Sequence, residues 1–521
     1  MGPQKGQVDF VRIGVLEVLA AQVDGGWFQK LNKLLLRRQY ASVMPQAVSV
    51  WCRQLGHQTF YATYYGQSDP KSLLPDDLDI VFISAYTRAT PLAYALARLY
   101  RQDGVITIAG GPHAKVFPED SLRFFDVVVR ECDRELIAEI LLDPPCGEIV
   151  SSGRPLLDLP SVEQRLPELK TSILWRGRAH RAAIVPVLAS VGCPYQCDFC
   201  VDWDNPYVVL PRDKIAADLR FISEHLPGAK IGFHDPNFAV RFDETMDILE
   251  ELPPGARSPY LMESSLSILR ESRLPRLTDT NCWFVAPGVE SWTAYSNKSG
   301  VGGQESARQK LDRVVSHFEL IHQYVPGIQA NFMFGIDADQ GDVPVELTKE
   351  FMTRAPFVSS TVNIPVPFGG TPLFDQYLAD DRLLRSMPFA FYRAPYLTIA
   401  LKHYDPEQYY AGLVDIMSHW TSTRMLLKRV STVTGLLRLG TAFRMLDQRR
   451  MLGEFRTILE LLRTDRPFRA FHEQETDVLP DFYRERHRDL LGPYAGVLSD
   501  DELTPVIPSP RAIATTAPAL P

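Results

Sequence analysis

The chain has 521 residues, 45% of them hydrophobic and 23% charged, with a formal net charge of -8. Two to four domains are expected of that length, and nothing in the overall charge points to a nucleic-acid partner. No apolar run reaches the ~18 residues of a membrane-spanning helix, and no signal-peptide order opens the sequence. Seven cysteines, three of them clustered, do not make a secreted disulfide framework, so the cytoplasm is the expected compartment.

From Val11 to Asp143, apolar runs alternate with amphipathic stretches. The pattern predicts strands at Val11–Leu19, Gln58–Tyr65, Ile80–Ala85, Val105–Ala109 and Asp126–Arg130, with helices near Pro45–Leu55, Pro91–Arg101 and Arg134–Leu142. Runs such as Ile80-Val81-Phe82-Ile83 are apolar on both faces, as buried parallel strands must be. This reads as a doubly wound α/β domain over residues 1–145, with its ligand site beyond the carboxyl ends of the strands. Two strand ends are candidates, Ser84-Ala85-Tyr86-Thr87 and Gly110-Gly111-Pro112-His113. Paired glycines let backbone approach a large flat ligand, and a neighbouring hydroxyl can bond its edge, although two ordinary turns would look the same.

Residues 146–181 read as a connector, and six strand-plus-helix units follow over 182–372. Their strands end near Ser190, Phe233, Glu263, Pro287, Phe334 and Val366, with helices near Lys214–His225, Asp243–Leu252, Ile268–Leu277, Gln304–Tyr324 and Val345–Thr353. Such repetition means a parallel sheet, open or curved toward a barrel, with its chemistry at the carboxyl ends. Acids and glycines stand at five consecutive ends, among them Asp235, Glu263, Glu290 and Asp337. Any one of them could merely cap the next helix.

Residues 373–503 read as a mainly helical region, and 504–521, rich in Pro, Ala and Thr, as a disordered tail. From Arg424 to Arg469, eleven Arg or Lys residues face four Asp or Glu. A solvated helical face is the ordinary explanation; peripheral contact with a membrane or an anionic ligand is the alternative.

The densest chemistry is Gly192-Cys193-Pro194-Tyr195-Gln196-Cys197-Asp198-Phe199-Cys200, directly after the first strand of the six units. Structural zinc wants four ligands, usually in two pairs, and Cys52, Cys132, Cys146 and Cys282 are isolated. Three thiolates without a fourth suit an iron–sulfur cluster that leaves one iron open to a substrate.

This loop resembles that of the radical S-adenosylmethionine superfamily, including the aromatic Phe199 before the third cysteine. The resemblance implies a partial (β/α)6 barrel in which Cys193, Cys197 and Cys200 ligate a 4Fe-4S cluster. S-adenosylmethionine would chelate the fourth iron and be cleaved to a 5′-deoxyadenosyl radical. By position, the resemblance also implies Asp235 near the methionine amine, and Glu263, Ser265 and Glu290 among the cosubstrate-binding residues. Val191 stands where many members have arginine.

A doubly wound domain ahead of such a barrel is the arrangement of the cobalamin-binding subfamily. Ser84, followed by Gly110-Gly111-Pro112-His113-Ala114 and Phe117-Pro118-Glu119, looks like its cobalamin domain. The D-x-H-x-x-G motif is absent, as it commonly is in that subfamily, and Arg130-Glu131-Cys132-Asp133-Arg134-Glu135 departs from its usual Gly-Glu-Gly-Glu run. Ser84, Thr87, Gly110, Gly111, Pro112 and His113 are therefore the cobalamin candidates, His113 either as a ligand or as a hydrogen-bonded loop histidine.

The resemblance implies a methyltransferase acting on an unactivated carbon of a small molecule or lipid, with an electron donor such as flavodoxin or ferredoxin and no nucleic acid. Its catalytic side chains are not legible. Oxidative cyclisation or rearrangement with the same cofactors is the same-class alternative. A non-enzymatic cluster or cobalamin sensor is the alternative of another class.

Overall fold

A computed structural model describes residues 11–23, 41–154, 156–293, 306–433 and 435–507. Six parallel strands form the first sheet: β1 Arg12–Val18, β2 Gln58–Tyr64, β3 Ile80–Ala85, β4 Ile106–Gly110, β5 Val127–Val129 and β6 Glu148–Val150, in the order β2-β1-β3-β4-β5-β6. Five match the predicted runs. The sixth lies in the expected connector, three residues too short to show a period. The order reverses between β1 and β3, which makes their carboxyl ends the topological switch point. Val81, Ile108 and Val128 are almost wholly buried, each burial contributing roughly 1.5–3 kcal/mol.

The second sheet is the expected six-unit array. Its order is β7 (Ile184–Val187), β10 (Lys230–Phe233), β11 (Tyr260–Met262), β12 (Cys282–Val285), β14 (Gly327–Met333) and β15 (Ser359–Asn363). A short β13 (Gly288–Glu290) also pairs with β14, so β12 and β13 are one strand broken at Ala286-Pro287. Pro186 is tolerated inside β7 because that strand lies at the sheet edge. The last strand stops at Asn363 rather than near Val366, since Pro365 and Pro367 cannot donate to a ladder. The expected helix at Ile268–Leu277 forms later, as Leu274–Asp279. Gln304 and Glu305, the start of another predicted helix, lie outside the described residues.

The expected connector is a packed wedge. Its helix Leu166–Ser172 places buried Glu168 against Ser49 (2.8 Å) and Arg53 (2.5 Å) of the first domain. Neighbouring Arg165 reaches Gln46 on one side and the Pro186 carbonyl of β7 on the other. The two sheets consequently share one continuous apolar core.

The helical region packs in two places. The helices Pro406–Trp420 and Gly435–Thr464 sit on the β14–β15 side of the barrel, and Arg444 bonds Gln329 and Ser359 there. Much of the basic stretch is engaged internally: Arg429 stacks on Trp420 (3.8 Å), and Arg463 and Arg469 share Glu407. Farther on, Leu491, Tyr494 and Leu498 join the core of the first sheet, and Arg98 pairs with Glu502. Residues 504–507 follow the same path, with Val506 N–H donating to Asp120 (2.6 Å), where a disordered tail was expected. The rest of that tail lies outside the described residues. Among the described residues, no helix is long and apolar enough to cross a membrane.

Candidate functional site

The cysteine loop is tied at its base by an antiparallel pair, β8 (Ser190–Val191) with β9 (Val208–Val209). Gly192 sits at φ +69°, and a Cβ there would strike the Pro206 carbonyl, so only glycine lets the loop turn back this tightly. Cys193 N–H donates to the Asn205 carbonyl (3.2 Å), and Cys200 N–H to the Cys197 carbonyl (3.0 Å). None of the three is in a disulfide; Cys193 is buried, while Cys197 and Cys200 are half-buried. Among the described residues no three cysteine, histidine or carboxylate groups close on a single ion. Three thiols with no fourth donor fit a cluster, whose irons are spread wider than one ion and leave a site for an outside ligand.

Asp235 anchors this loop. Its buried carboxylate accepts the Ala189 and Ser190 N–H groups (3.1 and 2.5 Å) and the Ser190 hydroxyl (2.6 Å). Burial pushes its pKa up to about 6 despite those bonds. The candidate holder of an amine is thus occupied as a staple between strand ends, a role its position at the end of β10 did not reveal.

Similar ties run along the rim. Asn237 accepts from Ser265 N–H and hydroxyl (3.0 and 3.1 Å), leaving its own buried amide nitrogen without a partner. Ser265 in turn bridges to Gly288, and Tyr195 of the cysteine loop bonds Ser267 (2.9 Å). Glu290 takes φ +62°, folded so that its carboxylate fills the place of a Gly288 side chain. Asp339, which the sequence did not single out, accepts from Ser291 (2.9 Å) and Gly335 N–H (3.0 Å), and burial raises it to about 6. Buried Lys310 donates to the Ser291 and Thr293 carbonyls and lies in the field of Glu290 and Asp339. Asp337 is taken by Arg382 (2.7 and 2.8 Å). Glu263 stays exposed and acts electrostatically on Tyr86 of the first domain.

On the first domain, Gly111 has φ +86°, and a Cβ there would collide with the Ser84 hydroxyl. Gly111 alone provides that close approach; beside Gly110 a side chain would meet open space. Gly111-Pro112-His113 open the helix Gly111–Val116, which carries Lys115 to Asn205 of the cysteine loop (3.0 Å). His113 is buried: its Nε2 meets the Tyr94 hydroxyl (2.9 Å), its ring packs against Phe117 and Phe389, and burial pushes its pKa down to about 3. It behaves as a hydrogen-bonded interior histidine, the second of the two readings above. Thr87 is buried in the turn Thr87–Ala89, which packs against Phe389–Phe391. Cluster loop, switch point and helical region therefore converge.

No protein-family model matches the chain. A bacteriochlorophyllide d C-12(1)-methyltransferase of Chlorobaculum tepidum is 24% identical over 58% of this chain and 67% of the relative. The bacteriochlorophyllide d C-8(2)-methyltransferase of the same organism is 23% identical over 70% of this chain and 83% of the relative. Among solved structures, the radical S-adenosylmethionine methyltransferase TsrM of Kitasatospora setae, with cobalamin and a 4Fe-4S cluster bound, aligns with a TM-score of 0.53 at 11% identity. The alignment covers 79% of this chain and 89% of TsrM. The chain has the fold of a cobalamin-binding radical S-adenosylmethionine enzyme. The likeness in fold thus reaches well beyond the cysteine loop and Gly110-Gly111, over 79% of the chain.

Proposed function

We propose that the chain is a cobalamin-dependent radical S-adenosylmethionine enzyme that methylates an unactivated carbon of a small molecule. The observation that carries this is the placement of the three-thiol loop at the carboxyl end of the first barrel strand, bonded through Asn205 to the helix that begins at Gly111. When bound, the cluster and cobalamin supply the electron that cleaves the sulfonium of one S-adenosylmethionine and the methyl group taken from a second.

The protein's own residues hold and enclose. Cys193, Cys197 and Cys200 ligate three irons. Ser265 and Glu290 line the cosubstrate's rim, with Glu263 the exposed acid beside them. Ser84, Thr87, Gly110 and Gly111 form the floor for the corrin, and Asp235 keeps the cysteine loop in register with β10. Two of the relatives are methyltransferases of bacteriochlorophyllide d by name, which favours a multi-ring small molecule here. A flavodoxin or ferredoxin would supply the electrons.

Anaerobic reconstitution with hydroxocobalamin, S-adenosylmethionine and dithionite tests the reading. Roughly four irons per chain, bound corrinoid and 5′-deoxyadenosine are expected. Stoichiometric zinc without cosubstrate cleavage would overturn it.

A further inference from the structure

Lys115 links the first domain to the cysteine loop. It lies in the last turn of the helix Gly111–Val116, which begins at the floor proposed for the corrin. Its ammonium is half-buried between two partners, the Glu131 carboxylate of its own domain (3.2 Å) and the side-chain oxygen of Asn205 in the loop (3.0 Å). An ammonium has three donors, so it serves both at once.

Asn205 is the neck of the loop. Its carbonyl accepts the Cys193 N–H (3.2 Å), its own N–H donates to the Asp202 carbonyl (3.3 Å), and its side-chain nitrogen reaches the Asp202 carboxylate (2.5 Å). A Cβ on Gly192 would stand 2.7 Å from that same Asn205 carbonyl. Residue 205 is therefore pressed against the backbone that presents the first thiol, and whatever holds its side chain holds that contact too.

The barrel grips the loop farther along. Trp203 Nε1–H donates to the Gly370 carbonyl (2.8 Å), and Leu373 N–H to the Asp198 carbonyl (3.0 Å). A Cβ on Gly369 would strike the Val116 carbonyl, so the end of the Lys115 helix is seated against the same barrel segment. Lys115 thus reaches Asn205 from a fixed base. A neutral donor would satisfy Asn205 equally well; a lysine also brings a positive charge to a loop that carries Asp198, Asp202, Asp204 and three thiols.

We propose that Lys115 is a positioning residue for the cluster, supplied by the first domain: it fixes Asn205 on the Cys193 backbone and raises the cluster's reduction potential through its charge. The effect on potential rests on the cluster assignment above; the hold on Cys193 does not. A cluster's potential follows the charge, hydrogen bonding and exposure around it, and an added electron is favoured near a cation. Docking of the domain that would carry cobalamin then makes the cluster easier to reduce, which favours radical formation where the methyl carrier is in place.

The test uses the full chain in two forms. In the cluster-free chain, hydrogen exchange at the Cys193 amide, read by mass spectrometry, should quicken about fivefold in Lys115→Met. It should stay within about twofold of wild type in Lys115→Arg and Glu131→Gln, which keep the donor to Asn205. In the reconstituted chain, with about four irons in each variant, a redox titration followed by electron paramagnetic resonance reads the midpoint. Lys115→Met should lower it, changing the reduced-to-oxidised ratio at the wild-type midpoint by roughly threefold. Glu131→Gln breaks the same ion pair but removes the opposite charge, so it should raise the midpoint, and by less because Glu131 is exposed. Lys115→Arg should restore the wild-type value. Shifts of the same sign in Lys115→Met and Glu131→Gln would overturn the proposal, as disrupted packing would not follow the sign of the charge removed. An unchanged exchange rate at Cys193 in Lys115→Met would overturn it as well. A wild-type chain that takes up no cluster would instead sink the cluster assignment, and the exchange rates would still decide the hold on Cys193.

Discussion

At the carboxyl edge of the first sheet, the critical close approach is made by backbone: Gly111 sits where any side chain would strike Ser84. At the same edge of the barrel, side chains make the ties, with Asp235 holding residues 189 and 190, Asn237 holding Ser265, and Asp339 holding Ser291 and Gly335. In the function proposed above, a backbone floor would leave a broad surface for the corrin. Side-chain staples fix loops whose thiols and acids must stay in place while a reactive species forms between them, and their geometry is paid for in advance by buried polar bonds.

The contrast can be broken most severely at the loop that the staples serve. Cys197→Ala should abolish 5′-deoxyadenosine formation and lower the iron content while leaving corrinoid binding intact, as read by product assay, iron analysis and absorbance. Asp235→Ala should destabilise the chain by about 3–5 kcal/mol, because it strands three buried donors, and should lower iron retention as well. Asp235→Asn should lose less, about 1–2 kcal/mol, since one oxygen still accepts. Equal urea midpoints for Asp235→Ala and the wild type would show that the staple does not matter.

The first sheet has a buried staple too, Glu17, which accepts from Ser42 N–H (2.8 Å) and the Tyr61 hydroxyl (3.0 Å). Burial pushes its carboxyl up to about 7, so the folded chain holds that proton more tightly than the unfolded chain does. Its contribution to stability is complete below pH ~4.5 and is lost as the pH rises through 7, roughly 3 kcal/mol in all. Glu17→Gln should flatten that decline, measured as urea midpoints at pH 5 and pH 8. A decline of similar size should remain from Asp235 and Asp339 together, each raised in the same direction to about 6. At the backbone floor, Gly111→Ala should cost about 1–3 kcal/mol and weaken corrinoid binding without changing the iron content. A variant that lost iron and corrinoid together would mean that the two edges are not independent.

Much of this was legible in the sequence. Strands that are apolar on both faces and recur every 30–50 residues announce parallel sheets, and C-x3-C-x2-C announces the cluster loop. The period also located the strand ends within a few residues. What it could not give was the use of each polar group there. Asp235 and Glu263 look alike as acids after a strand, yet one is buried among donors and the other is exposed. Asp339 and Lys310 meet across a stretch of chain that no local pattern spans. Tyr392 lies in a segment with neither a helical nor a strand period, and its packing against Phe117 and Phe389 joins parts of the chain that no local pattern links.

The return of the chain to its first sheet has a consequence for how the protein is made. Val23 N–H bonds the Leu490 carbonyl, and Leu491, Tyr494 and Leu498 complete the apolar layer over β1 and β3. The first sheet is therefore completed by residues that follow the barrel in the chain. Until those residues emerge from the ribosome, the switch point lacks one of its flanks, so a large cofactor is best captured after synthesis has passed the barrel.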